Sequence, residues 1–313
     1  MKILIICSHR YYAPYTDYVA PFIYEQMQGL KQLGCDFRIC FVKGGGLKSY
    51  LQAWRRMMRD FAEYQPDIIH AHYGLCCMIA NLQRKVPVVS TFHGSDINNP
   101  KTRWISKIAI RLSQINIFVS EKLRSIAGNP LRSIVIPCGV DTKEFYPMDK
   151  RVCREQLGMD LNKIYILFSK AFTVHVKNYP LAKAAVNRLL ANGMDIELLE
   201  LKGYTRDQVV QLMNACDCAL MTSFKEGSPQ FTKEALACNC PIVSTDVGDV
   251  KEQISGLPNC YITSYNSLDV AKNIENCVDN YVDAPYSRQR VIERYNNEML
   301  TTKIFELYNN ILS

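Results

Sequence analysis

Short runs of apolar, β-branched residues alternate along the chain with longer stretches in which apolar positions recur every three or four residues. The first pattern predicts buried strands and the second helices, and their alternation predicts βαβ units around parallel sheets. In the first half, strands are expected over residues 2–7, 37–42, 68–71, 86–91, 115–119 and 134–136, with helices over 19–33, 47–64, 75–83 and 102–112. After Tyr146-Pro147 the polar segment 148–162 breaks the pattern. It resumes with strands over 165–169, 196–199, 218–221, 241–245 and 260–263 and helices over 179–191, 206–215 and 230–237. A last amphipathic stretch, 287–312, has no strand after it.

The expected fold is therefore α/β, with two Rossmann-like doubly wound domains facing each other across a cleft. Their expected bounds are residues 1–147 and 148–286, with a C-terminal helix over 287–313 packing back on the first domain. Open parallel sheets bind ligands beyond the carboxyl ends of their strands, so the loops that follow strands are where function is expected.

A length of 313 residues suits two domains, and 48% hydrophobic residues supply two cores and exclude a disordered chain. None of the 13 cysteines forms a C-x-x-C pair, so they read as buried small hydrophobes in a reducing cytoplasm. Cys216, Cys218, Cys238 and Cys240 lack the spacing of a zinc site. The N-terminal apolar run of about five residues is too short for an export signal or a membrane span, and no later segment reaches about 18. The chain is expected to be cytoplasmic. Residues 1–145 carry 19 Lys and Arg against 10 Asp and Glu, and the remainder 18 against 20. This asymmetry suits an anionic substrate or lipid surface as much as a solvated face.

One string carries chemistry: EGSPQFTKEALACNCPIVSTDVGD, residues 226–249, set between two expected strands. Gly227, Ser228 and Pro229 form a turn that feeds the helix of Gln230, Phe231 and Glu234. A helix N-terminus offers unpaired N–H groups and a positive dipole end, which suits a diphosphate. Glu226 and Glu234 can accept hydrogen bonds from sugar hydroxyls. Taken alone, E-G-x-P would be an ordinary turn between solvated glutamates; the strand–turn–helix–strand setting favours the site.

The string resembles the E-x7-E signature of retaining GT-B glycosyltransferases, in the form that family 4 shows: E-G-x-P-x-x-x-x-E-A-x-A-C-x-x-P-I/V-V. Glu226, Gly227, Pro229, Glu234, Ala235, Ala237, Cys238, Pro241, Ile242 and Val243 meet its fixed positions. Three further segments are similar to the family's in order and spacing: TFHGSD (91–96), VIPCGVDTKEF (135–145) and SKAFTVHVKNYPLA (169–182). The resemblance implies a nucleotide-sugar donor and an acceptor hydroxyl on a glycan or lipid-linked sugar. It implies that Glu226 contacts the donor sugar, Glu234 the nucleotide ribose and Lys177 the diphosphate, with His93 on the donor sugar from the other domain. A cation on the leaving diphosphate lowers the barrier directly, and with no D-x-D motif the expected site uses neither metal nor cofactor.

The chain departs from the family in three places, the smallest being Gly248-Asp249 where the motif ends in Gly-Gly. Ser169-Lys170 stands where Gly-Arg is usual, so Lys170 takes the phosphate role as a point charge without arginine's fork. The Gly-Gly loop after the first strand is replaced by SHRYYAPYTDY, which includes Asp17 and Tyr18. His70 and His72 read as satisfied histidines at a strand end. In the helix around Trp54, an apolar face of Leu51, Trp54, Met58 and Phe61 beside Arg55, Arg56 and Arg59 suits either an anionic membrane surface or the domain core. Nucleic acid is not an expected partner, since no binding motif accompanies the basic residues. Two other readings stay open on the same fold: a sugar-nucleotide epimerase or hydrolase, and a non-catalytic two-domain ligand-binding protein.

Overall fold

The computed structural model describes residues 1–8, 19–43, 47–282 and 285–313. Asp17 and Tyr18, in the segment that replaces the glycine loop, lie outside the described residues.

The chain divides into two compact units, Met1–Gly139 with Asn297–Ser313, and Val140–Asn296. The first contains β1 (Lys2–Ser8), α1 (Pro21–Gln32), β2 (Asp36–Val42), α2 (Leu47–Tyr64), β3 (Ile68–His72), α3 (Gly74–Ala80), β4 (Val88–Phe92), α4 (Pro100–Leu112), β5 (Ile115–Phe118), α5 (Glu121–Ile126) and β6 (Ser133–Val135). Its strands form one parallel sheet in the order β2-β1-β3-β4-β5-β6. The inner strands are buried on both faces because helices cover both, the burial that a parallel sheet requires. Residues of α2, α3, α4 and α5 fill one core cluster with Leu4, Ile69 and Phe92. On the opposite face Ile23, Met27 and Leu30 of α1 meet Ile3, Ile5, Leu300, Ile304 and Tyr308.

The second unit contains α6 (Lys150–Leu157), β7 (Ile164–Phe168), a 3₁₀ turn (His175–Lys177), α7 (Tyr179–Ala191), β8 (Ile196–Glu200), α8 (Arg206–Ala215), β9 (Cys218–Met221), α9 (Gln230–Ala237), β10 (Ile242–Thr245), α10 (Val250–Ile254), β11 (Cys260–Thr263), α11 (Ser267–Asp279) and α12 (Tyr286–Arg294); α13 (Asn297–Leu312) returns to the first. The five strands are parallel in the order β11-β10-β9-β7-β8. Both sheets bear out the α/β fold expected from the alternation.

Two expected boundaries move. The first unit ends at Gly139, eight residues before the Tyr146-Pro147 break, because 140–147 is bonded into the second. The Val140 N–H donates to the Tyr295 carbonyl at 2.8 Å, and Arg288 donates to the carbonyls of Thr142 and Phe145. The single helix expected over 287–313 is two helices, α12 packing against α9 and α13 against α1. The polar segment 148–162, where no helix was expected, contains α6. Asp149 caps α6 by accepting from the Val152 N–H, Gly158 ends it with φ +67°, and buried Arg154 donates to Asp217 at 2.7 Å.

The α2 helix turns its apolar face inward. Ala53 and Met57 are fully buried and Trp54, Met58 and Phe61 pack against the core, which leaves Leu51 exposed. That face therefore serves the core, not a membrane. No helix of the described residues is long and apolar enough to cross a bilayer.

Candidate active site

In the second unit the chemistry-bearing residues collect beyond the carboxyl ends of β7 and β9. The 169–178 loop is fastened to the end of β9: the Thr222 hydroxyl donates to the carbonyls of Lys177 and Asn178 at 3.0 Å, and the Phe224 N–H to Val176 at 2.9 Å. Stacking of Phe172 on Tyr179, with centroids 4.0 Å apart, closes the loop onto α7. So held, Lys177 Nζ lies 2.6 Å from Glu226 Oε1, both side chains more than four-fifths buried. The spacing of 49 residues between them hides this pair from any local sequence pattern.

Lys170 lies in the same loop as Lys177, within electrostatic reach of Glu226 and Glu234. Protein around its ammonium and the nearby Lys177 charge lower its pKa from the ordinary lysine value, while Glu234 and Glu226 pull it back up. At the carboxyl ends of β7 and β9 the hydroxyls of Ser169 and Ser223 are buried with no protein hydrogen-bond partner. Such orphans in a buried position suit a polar ligand.

The turn Gly227-Ser228-Pro229 leads into α9 as expected, and no side chain caps that helix. Its inner fabric is less expected. Ser228 Oγ donates to Asp249 Oδ2 at 2.7 Å and receives the Lys233 ammonium at 3.2 Å, so the hydroxyl is spent on the protein. Asp249 also receives Gln253 Nε2 at 2.7 Å, and Thr232 donates to Gln253 Oε1 at 2.5 Å. Burial raises the Asp249 pKa while Lys233, Ser228 and Gln253 hold it down. Phe231 is buried as well. Gly248 lies behind the turn at φ +57°, where a Cβ would stand 2.6 Å from the Gly227 carbonyl oxygen; only glycine permits that approach.

Glu234 lies on α9 with Arg206 Nη1 at 3.7 Å. Arg206 is itself placed by Glu144 at 2.9 Å and by the Phe145 ring, 4.6 Å below its guanidinium. Burial raises the Glu234 pKa; Arg206, Lys233 and Lys170 oppose it. Sequence reasoning missed Arg206 and Lys233. Arg206 opens α8 as one charge among several, and nothing in the string marks Lys233 as fully buried.

His93 belongs to the first unit, directly after β4, where Asp96 accepts from the backbone N–H groups of His93, Gly94 and Ile97. Both its ring nitrogens are engaged there: Nε2 lies 3.0 Å from His72 Nδ1, and Nδ1 lies 3.7 Å from Cys138 Sγ. His72 stacks in turn on His70, which holds Tyr308 of α13 at 2.5 Å and Thr91 at 2.7 Å. Burial lowers the His70 pKa to about 3 and that of His72 well below its usual value. Both histidines are thus neutral and buried; His70 is satisfied at both ring nitrogens as expected, whereas His72 Nε2 is buried without a hydrogen-bond partner.

Cys216, Cys218, Cys238 and Cys240 are buried free thiols, and among the described residues no group of three or more His, Cys, Asp or Glu is arranged to hold a metal ion.

The chain matches the family model described as Glycosyltransferase Family 4 over residues 35–144 and that described as Glycosyl transferases group 1 over residues 170–280. It is 30% identical over 261 residues to an uncharacterized glycosyltransferase of Methanocaldococcus jannaschii, a match covering 77% of this chain and 68% of that protein. Among the first relatives it matches, the shared region spans 54% to 75% of their own length. Its fold resembles the sucrose-phosphate synthase of Thermosynechococcus elongatus, with a TM-score of 0.83 at 15% identity over 99% of this chain and 98% of that one. It also resembles Anabaena HepE, solved in complex with UDP and glucose, with a TM-score of 0.76 at 16% identity over 99% and 100% of the two chains.

Proposed function

We infer that this chain, which belongs to glycosyltransferase family 4, moves a sugar from a nucleotide-sugar donor to an acceptor hydroxyl with retention of anomeric configuration. The observation that carries the reading is the Lys177–Glu226 pair beside Lys170 and Glu234 at the carboxyl ends of β7 and β9. Two cations suit a leaving diphosphate, and two carboxylates suit hydroxyl groups. A bound complex of UDP and glucose in Anabaena HepE, a fold neighbour, supports a nucleoside diphosphate donor.

In the proposed reaction the donor diphosphate draws Lys177 from Glu226, and Lys170 adds a second charge. The Glu226 carboxylate then accepts hydrogen bonds from donor sugar hydroxyls, while Glu234, steadied by Arg206, accepts from the ribose. The turn before α9 and the uncapped start of that helix add the backbone N–H groups of Gly227, Ser228, Gln230 and Phe231 to the phosphates. The bond between the anomeric carbon and the phosphate oxygen breaks as the acceptor oxygen attacks from the same face. The acceptor proton passes to the departing phosphate oxygen, whose charge the lysines stabilise. The proposal gives the lysines the role a metal would otherwise fill. His93 enters it through the family resemblance alone, as a contact of the donor sugar. The acceptor is proposed to be a glycan or a lipid-linked sugar, consistent with the basic first 145 residues.

The test is a screen of labelled nucleotide sugars, first for binding and then for slow donor hydrolysis. One donor is expected to bind and turn over, and Glu226→Gln to bind it with turnover lost. Isolation of a covalent sugar adduct on Glu226 would overturn the same-face mechanism. Conversion of the donor to an epimer without acceptor would overturn the transfer itself.

A further inference from the structure

We propose that the outer face of α4 docks the first unit on an anionic lipid bilayer, with Trp104 as its anchor. The helix buries Ser106, Ala109 and Ile110 against the domain. Its opposite face, at helical spacing, presents Lys101, Trp104, Lys107, Ile108 and Arg111, all exposed. Trp104 is 61% exposed, the larger of two apolar side chains left in a ring of cations. No carboxylate among the described residues pairs with Lys101, Lys107 or Arg111.

The charge around this face is one-sided. Residues 68–120 carry six basic side chains, Arg84, Lys85, Lys101, Arg103, Lys107 and Arg111, against a single acid, Asp96. Asp96 is buried and occupied by backbone N–H groups, so it does not neutralise the surface. Arg84 donates to the Leu112 carbonyl at 2.9 Å, which sets another cation at the end of α4 beside the exposed Leu82.

An exposed tryptophan and isoleucine flanked by lysine and arginine match the bilayer boundary, where an indole sits at headgroup depth and cations meet lipid phosphates. A soluble polyanion would use the cations and leave Trp104 in water. α2, whose Trp54 is committed to the core, offers no such face.

The test uses the full chain with vesicles of equimolar phosphatidylcholine and phosphatidylglycerol, and with pure phosphatidylcholine as control. Co-sedimentation is expected with the anionic vesicles alone and is expected to fall as salt rises. The triple variant K101Q/K107Q/R111Q is expected to bind on the order of a hundredfold more weakly, from about fivefold per cation. Since the chain has two tryptophans, W54F leaves Trp104 as the sole reporter, and its emission should shift to the blue on vesicle addition. Should W54F fail to fold, quenching of the unaltered chain by brominated lipid gives the same reading. Absence of vesicle binding, equal binding to neutral vesicles, an unchanged triple variant or an unmoved Trp104 emission would each overturn the proposal. So would capture by heparin with no capture by vesicles, which would mark a soluble polyanion as the partner.

Discussion

Lys177 and Glu226, 49 residues apart in sequence, form an ion pair of 2.6 Å with both side chains largely shielded from water. The pair joins the loop after β7 to the loop after β9, and so joins the cation of the site to its first carboxylate. Lys177→Met removes this largely buried ion pair and is expected to lower stability by about 1–3 kcal/mol. Glu226→Gln, which keeps a hydrogen-bonding oxygen near Lys177, should cost less. Chemical denaturation of both variants checks the order; equal losses would contradict it.

Lys233 is fully buried with its ammonium on Ser228 Oγ and 5.6 Å from the Tyr295 ring centroid, and its charge holds down the pKa of Asp249. Lys233→Met removes the cation that offsets the buried Asp249 charge and leaves it only the Ser228 and Gln253 hydrogen bonds. We expect a loss of about 3 kcal/mol by urea denaturation, with most of it restored when Asp249→Asn is added. A double variant no more stable than the single one would refute the coupling.

Gly248 supports the turn from behind. Gly248→Ala forces a Cβ toward the Gly227 carbonyl oxygen at a backbone angle that alanine disfavours. A loss of about 2 kcal/mol in stability is expected, with donor binding weakened at temperatures where the variant remains folded. Unchanged binding in a destabilised variant would detach the turn from the donor.

His70 sets an acid limit on the first unit. It stays neutral in the folded chain down to about pH 3 and becomes protonated in the unfolded chain below its ordinary value of 6.5. Its contribution is complete above pH 6.5 and is lost as pH falls toward 3, by about 2 kcal/mol between pH 6.5 and 5. His72 shifts the same way and steepens the fall. Thermal melts from pH 7.5 to 5 should show a shallower decline in His70→Gln. An identical decline would remove His70 from this role.

Strand and helix alternation was legible because both sheets are parallel and covered on both faces, which writes continuous apolar runs into the chain. The Glu226–Glu234 string was legible because the loop and helix are consecutive in sequence. Other parts were written in polar residues whose partners are distant. Arg154 anchors α6 through Asp217, 63 residues on, so a helix looked like a polar break in the pattern. Arg288 bonds to Thr142 and Phe145 across more than 140 residues, so the unit boundary looked later than it is. His93 read, through the resemblance, as a contact of the donor sugar; that His72 and Cys138 lie beside its two ring nitrogens was not legible, because both partners are distant in sequence.

The central claim is that Lys177, freed from Glu226, carries the diphosphate of a nucleotide donor. Its most direct test is calorimetric titration of nucleoside diphosphates, UDP first, into the unaltered chain and Lys177→Gln, with chelator present throughout. The account predicts saturable binding to the unaltered chain without divalent metal and binding at least about tenfold weaker in the variant, roughly the 1.4 kcal/mol of one charge-assisted contact. Equal affinity in the two chains, or no binding of any nucleoside diphosphate to the unaltered chain, would contradict it.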